Sequence, residues 1–269
     1  MYTKTDIIKQ LEGMPAPRDR IVLVHSSLRA VGEVEGRGEG LLEILIEYFT
    51  SEGGLLCVPT HTWANVGKAG TVTLDMTTPE TCIGTLPDIA ARAAKIRTLH
   101  PTHSIAVFGD ENFAAAFARG EDKMITPADP RGCYGKIFDN SGYILLIGVG
   151  HNKNTFLHCV EEMLSVPNRI AGEAFRASVK HRDGYIEYKD VYPHKAIGIG
   201  DVSARYPKYE NAFRYHGAIT DGFIGNAKTQ LCSAVRMKEV MELINDKSGG
   251  KELFFDDSPI DEVYFKGVL

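Results

Sequence analysis

The chain has 269 residues, 43% of them hydrophobic and 24% charged, and a formal charge of −5. This composition excludes a disordered or fibrous chain and is enough for a sizeable α/β core. A mildly acidic balance argues against nucleic acid as a partner and is compatible with a cationic small substrate.

Residues 1–11 mix Lys4, Asp6 and Lys9 with isolated apolar side chains, unlike a signal peptide or presequence, and no apolar run approaches the ~20 residues that cross a bilayer. The expectation is a cytoplasmic protein with no membrane partner. Cys57, Cys82, Cys133, Cys159 and Cys232 lack CxxC spacing and read as buried thiols of a reducing compartment. No linker, repeat or low-complexity tract divides the chain, so one domain over 1–269 is expected.

A strand over 20–25 ends in Ser26-Ser27, and a glycine-rich turn leads to a helix over 39–50 with Leu41, Leu42, Leu45, Ile46 and Phe49 on its buried positions. Gly53-Gly54 ends that helix and a second apolar run, 55–59, follows. This β-α-β unit brings His25-Ser26-Ser27 and Thr60-His61-Thr62 to one carboxyl-terminal sheet edge. A loop over 63–82, a helix over 86–94, a strand over 105–108 and a short helix over 112–119 come next. A turn-rich stretch with Pro127, Pro130 and Gly132 precedes a strand over 143–149.

That strand passes through Gly148 and Gly150 into a helix carrying His158, with Thr155, Glu161 and Glu162 three or four residues away on its face. Further on, 174–179 and 185–191 flank Arg182-Asp183-Gly184 as a hairpin, and 223–227 reads as a short strand or hairpin arm. A final helix is predicted over 230–245. The hairpin makes the sheet mixed, and the expected class is α/β, a three-layer α/β/α arrangement.

Several segments, taken in order, resemble the antibiotic N-acetyltransferase family typified by aminoglycoside 3-N-acetyltransferases. Val24-His25-Ser26-Ser27-Leu28 with Gly32 resembles its amino-terminal motif, and Val58-Pro59-Thr60 its second strand end. Ile83-Gly84-Thr85-Leu86-Pro87, His100-Pro101-Thr102-His103-Ser104, Tyr134-Gly135-Lys136-Ile137 and Leu145-Leu146-Ile147-Gly148-Val149-Gly150 continue the match. Asn154-Thr155-Phe156-Leu157-His158-Cys159-Val160-Glu161 matches the family's N-T-x-x-H-x-x-E helix, and Ile224-Gly225-Asn226-Ala227 extends it. The ordered combination over roughly 20–245 carries the resemblance, since HxxE or HxxH alone occurs on many segments.

The resemblance implies acetyl-CoA as co-substrate and a fold unrelated to the larger acetyltransferase superfamily built on a Q/R-x-x-G-x-G/A pyrophosphate loop. No such loop occurs here. It also implies a coenzyme site at His25, Ser26, Ser27, Leu28, Pro101, Thr102 and Ser104, with Arg29 or Arg37 available for a phosphate.

Acetylating an amine requires a neutral nitrogen, a thioester carbonyl and donors for the oxyanion. His158 fits the base, because an imidazole of ordinary pKa ~6.5 is largely neutral yet basic near neutrality. Glu161 or Glu162 on its face could orient the ring, or a distant carboxylate such as Glu210. Thr155 could contact the acetyl group or cap the helix, and Asn154 could cap it.

Acceptor binding is assigned to Glu162, Asp75 and Glu210, with the 63–82 loop and the 195–218 segment. A polycationic aminoglycoside needs several such carboxylates converging. A natural amine or amino sugar is the other acceptor. Two other classes stand beside the acetyltransferase: a metal-assisted hydrolase using His100, His103, His158, Glu161 and His194, and a noncatalytic coenzyme-A-binding protein. HxxH on a proline-containing segment lacks the i,i+4 geometry of helical zinc motifs, so no metal is expected. The oligomeric state is not readable from the sequence.

Overall fold

In the computed structural model, which describes residues 1–66, 70–251 and 258–267, the apolar runs become the central strands of a sheet covered on both faces. The strands are β1 Ile21–Ser26, β2 Leu55–Pro59, β3 Val72–Asp75, β4 Ile96–Arg97, β5 Ile105–Phe108, β6 Tyr143–Ile147, β7 Phe175–Lys180, β8 Ile186–Val191, β9 Ile219–Ile224 and β10 Ala227–Ser233. The helices are α1 Lys4–Gly13, α2 Leu28–Val31, α3 Arg37–Thr50, α4 Thr85–Ala93, α5 Glu111–Ala118, α6 Cys133–Asp139, α7 Phe156–Met163, α8 Glu210–Tyr215 and α9 Ala234–Ser248.

The main sheet has the order β4-β5-β2-β1-β6-β10-β9. β1 lies parallel to both β2 and β6, whereas β5 and β10 run antiparallel outside them. Residues alternate between two cores: Ile21, Leu23, Ile144 and Leu146 face α6, α7 and α9, while Val22, Val24, Leu145 and Ile147 face α1 and α3. That alternation on strands buried from both sides produces the three layers.

The predicted hairpin forms as β7-β8, but it pairs with β3 in a separate three-stranded sheet. The main sheet is mixed for a different reason, its antiparallel β4, β5, β9 and β10. The final helix starts later than predicted. Residues 230–233 belong to β10, where Leu231 and Cys232 pair with Leu145 and Ile144, and Ser233 caps α9 by accepting from the Arg236 N–H at 3.3 Å.

Four helices, α1, α2, α6 and α8, lie outside the predicted elements. α1 carries a capping box between Thr3 and Asp6 and buries Ile7 and Leu11. α6 follows the prolines directly, and Gly135 in it packs so closely that a Cβ would sit 1.6 Å from the Pro130 carbonyl oxygen.

Gly148, just past β6, has φ +65°, and a Cβ there would lie 2.4 Å from the Ala30 Cβ. Only glycine fits this corner, which turns the chain from β6 toward α7. Among the described residues no helix is long and apolar enough to cross a membrane.

Candidate active site

The ends of β1 and β2, the His100–Ser104 loop, the start of α7 and the segment after β8 surround a cavity of about 730 Å³. Because β1 and β6 run parallel in register, with Ser26 opposite Ile147, the loop after β6 delivers α7 to the same edge as His25 and Ser26. α7 buries Phe156, Leu157, Cys159 and Val160 against the sheet, and the same periodicity turns His158 into the cavity.

His158 is held from one side. Its Nδ1 lies 2.6 Å from the Tyr206 hydroxyl, which donates at 2.7 Å to Glu161 Oε2. Glu161 is fully buried, and its Oε1 accepts from Arg169 Nε at 2.7 Å. Direct contact between His158 Nδ1 and Glu161 is 3.7 Å, too long for a hydrogen bond, so the carboxylate acts through the tyrosine.

A phenol has one proton, and here it goes to the carboxylate beside the arginine. The short contact to the ring is then filled by Nδ1–H donating to the phenol oxygen. This tautomer leaves the lone pair of His158 on Nε2, the ring nitrogen away from the relay. Burial, then the Glu161 charge, pushes the Tyr206 hydroxyl well above its ordinary pKa of 10, so it stays neutral as the relay requires.

A second imidazole, His194, stacks on His158 at 4.0 Å between ring centroids with planes 21° apart. Its Nε2 meets Glu162 Oε1 at 3.2 Å, and Glu162 Oε2 accepts from the Thr126 hydroxyl at 2.7 Å. Burial pushes the Glu162 carboxyl up to about 7. His61 and His103 continue the row, the former 3.0 Å from the Tyr134 hydroxyl. Burial first, then mutual repulsion, holds His61, His103 and His194 well below the ordinary 6.5. The wall around His158 is therefore largely uncharged at neutral pH.

Of the residues assigned to the coenzyme, His25, Ser26 and Thr102 line the cavity. Ser27 caps α2 by accepting from the Ala30 N–H, and Leu28 packs into the core behind it. The Pro101 carbonyl accepts from Thr62, and Ser104 is buried, donating to the Thr60 carbonyl and accepting from Arg97. None of these four lines the cavity.

Thr155 borders it at the N-cap position of α7, without a side-chain cap bond. Asn154 lines it too, with its side-chain amide nitrogen 3.2 Å from His151 Nδ1. Asp75 pairs with Lys180 and caps Thr77, and Glu210 pairs with Arg214, so neither carboxylate reaches the cavity. Trp63 from the 63–82 loop and Lys195, Ala196 and residues 200–203 do line it, whereas 67–69 fall outside the described residues.

Tyr206 and Arg169 complete the site without any signal in the sequence that points to these roles, and His194, a candidate ligand in the metal-assisted alternative, instead stacks on His158 and meets Glu162. Arg169 and His194 lie in irregular stretches beyond α7, and Tyr206 lies in the 3-10 helix Val202–Tyr209. Only three-dimensional contact connects them. Among the described residues, no three His, Cys, Asp or Glu side chains form a group able to hold a metal.

The buried imidazoles also set an acid limit on stability. Burial holds His25 and His100 down at about 3 from the ordinary 6.5. Both are neutral in the folded protein, but the unfolded chain takes up their protons below 6.5. Stability present above that pH is therefore lost as pH falls toward 3. Each ring is expected to cost about 2 kcal/mol by pH 5. Urea unfolding at pH 7 and pH 5 checks this: the midpoint should fall, less steeply in His100→Asn, and a flat profile contradicts it.

The chain matches the sequence model of the family described as aminoglycoside 3-N-acetyltransferase over residues 23–244. It is 30% identical over 172 residues to aminoglycoside N(3)-acetyltransferase IV of Salmonella sp, the alignment covering 62% of this chain and 61% of that protein. Among solved structures, its fold resembles AAC(3)-IVa apoenzyme with a TM-score of 0.74 at 22% identity, covering 94% of this chain and 90% of that one. It also resembles AAC-IIIb in its binary complex with coenzyme A, with a TM-score of 0.73 at 17% identity, covering 88% and 94%.

Proposed function

Since the chain belongs to the aminoglycoside 3-N-acetyltransferase family, we propose that it transfers the acetyl group of acetyl-CoA to a primary amine of an aminoglycoside or related amine. One observation carries the reading: a polar relay, Arg169–Glu161–Tyr206–His158, ends in an imidazole that lines the cavity of about 730 Å³. The relatives support the substrates, one solved with coenzyme A and AAC(3)-IVa also solved with a gentamicin.

In this reading coenzyme and amine occupy the cavity together. The amine nitrogen attacks the thioester carbonyl, and His158 Nε2 takes the N–H proton as the C–N bond forms. Nδ1–H, the phenol and Glu161 stabilise the resulting imidazolium without accepting its proton. The C–S bond then breaks, and the thiolate takes up a proton to leave as coenzyme A. In this reading Thr155 and main-chain donors at the start of α7 serve the oxyanion, and His25, Ser26 and Thr102, which line the cavity, serve the pantetheine arm.

Direct transfer also suits the nearest thiol. Burial pushes Cys159 well above its ordinary pKa, so it is not a poised nucleophile. All five cysteines are free, which supports work in a reducing cytoplasm.

The test is thiol release from acetyl-CoA across aminoglycosides, amino sugars and simple amines, with the product identified by mass spectrometry and NMR. Amine-dependent release with one acetyl on nitrogen is expected. Release with water as the only acceptor would point to a hydrolase, and coenzyme binding without release to a binding protein.

A further inference from the structure

Tyr206 holds His158 by a hydrogen bond at one edge, through Nδ1. A hydrogen bond tolerates about 30° of misalignment, so that contact leaves the ring plane loose and the opposite nitrogen, Nε2, free to swing. A base needs its reacting atom within about 0.5 Å and 10–20° of the productive geometry. Contact on the ring face supplies the second restraint. His194 lies over His158 with centroids 4.0 Å apart and planes 21° apart, and both residues line the cavity.

His194 is itself tied down at both ends. Its backbone bridges to Ile170, where the Ala171 N–H donates to the Pro193 carbonyl at 3.0 Å and the Lys195 N–H to the Arg169 carbonyl at 2.9 Å. Its ring meets Glu162 Oε1 at 3.2 Å, and the Thr126 hydroxyl donates to Glu162 Oε2 at 2.7 Å. Glu162 stands four residues after His158 on α7, so one helix carries both the base and the carboxylate that holds its stacking partner. The bond survives titration of that carboxylate near pH 7: Nε2–H donates to ionised Glu162, and the carboxyl O–H donates to Nε2 when Glu162 is protonated. His194 also suits the place electrically. Burial, then the neighbouring His158, keeps it well below the ordinary 6.5, so a neutral ring faces the imidazolium that forms. A cation stacked there would oppose that charge.

From this geometry we infer that His194 is a positioning residue for the acetyl transfer: lying flat on His158, it fixes the plane of the base, and Glu162 and Thr126 hold it there. The inference rests on the acetyl-transfer reading above. It gives the two adjacent glutamates one target, Glu161 reaching the ring edge through Tyr206 and Glu162 the ring face through His194.

The experiment measures kcat of His194→Ala, His194→Phe, Glu162→Ala and the double variant with saturating acetyl-CoA and gentamicin, or the fastest amine of the panel above where gentamicin is not accepted. His194→Ala should lower kcat about 10- to 100-fold, while its affinity for acetyl-CoA, measured by calorimetry, changes far less. His194→Phe keeps a flat ring against His158 and should recover most of that loss, which a role in proton transfer would not allow. Glu162→Ala should also lower kcat, and the double variant should fall no further than His194→Ala, because the carboxylate acts through the imidazole. Near-wild-type kcat in folded His194→Ala, His194→Phe as slow as His194→Ala, or losses that multiply in the double variant each overturn the inference and leave acetyl transfer standing. Should His194→Ala fail to fold, Glu162→Ala decides, and near-wild-type kcat there overturns the inference. Bound acetyl-CoA with no thiol release by the wild-type protein for any amine overturns the acetyl-transfer reading and this inference with it.

Discussion

His158→Gln is expected to lower kcat by about 10²–10⁴-fold, the usual contribution of a positioned general base. Acetyl-CoA binding should persist, because the ring is only one part of a wide cavity. Glutamine preserves much of the volume and a hydrogen-bonding group near Tyr206, but it cannot accept a proton from an ammonium or amine near neutral pH. The measurement is steady-state kcat with calorimetric binding of acetyl-CoA and a circular-dichroism check of folding. Near-wild-type kcat in a folded His158→Gln protein would remove the imidazole from the chemistry.

Glu161→Gln should damage both stability and rate. Arg169 is 3% exposed and pairs with this carboxylate at 2.7 Å, so neutralising Glu161 breaks a buried ion pair, a loss of about 3–5 kcal/mol in urea unfolding. The Tyr206 hydroxyl loses its charged acceptor at the same time, and the imidazolium of His158 its counterion. Adding Arg169→Met to Glu161→Gln should recover much of the stability, because both buried charges are then gone. The rate should not recover, which separates the catalytic relay from a structural salt bridge. Tyr206→Phe complements this test: the ring still packs, the relay is cut, and kcat should fall about 10–10²-fold with KM little changed. Equal recovery of rate and stability in the double variant would assign Glu161 to the fold alone.

The strand-turn-helix that carries His158 is readable because its signals are local: an apolar run, a glycine that only φ > 0 accommodates, and a 3.6-residue period. The three-layer arrangement follows from the same runs, since 21–24, 55–58 and 144–147 are apolar on both faces. The start of α9 is harder to place because Leu231 fits a helical period as well as a strand. What decides it is pairing of β10 with β6, a contact between segments far apart in the chain.

The site divides along the same line. The face shared by His158, Glu161 and Glu162 is visible in the sequence spacing, but the two glutamates do different things. Glu161 is drawn into the core by Arg169, and Glu162 turns to His194. Helical spacing does not reveal which partner each will find. Nor does it reveal that Tyr206, 48 positions from His158, stands between the base and its carboxylate. The assigned acceptor carboxylates Asp75 and Glu210 are acidic by composition, yet each is paired away from the cavity.

Single turnover with acetyl-CoA labelled in the acetyl group tests direct transfer from coenzyme to amine beside His158 most closely. Protein and small molecules are separated by mass spectrometry at several times after mixing with excess enzyme and an accepted amine. Label should pass from coenzyme to acceptor nitrogen without appearing on the protein, and His158→Gln should slow that passage. Label that accumulates on a protein side chain and then moves to the amine would contradict it.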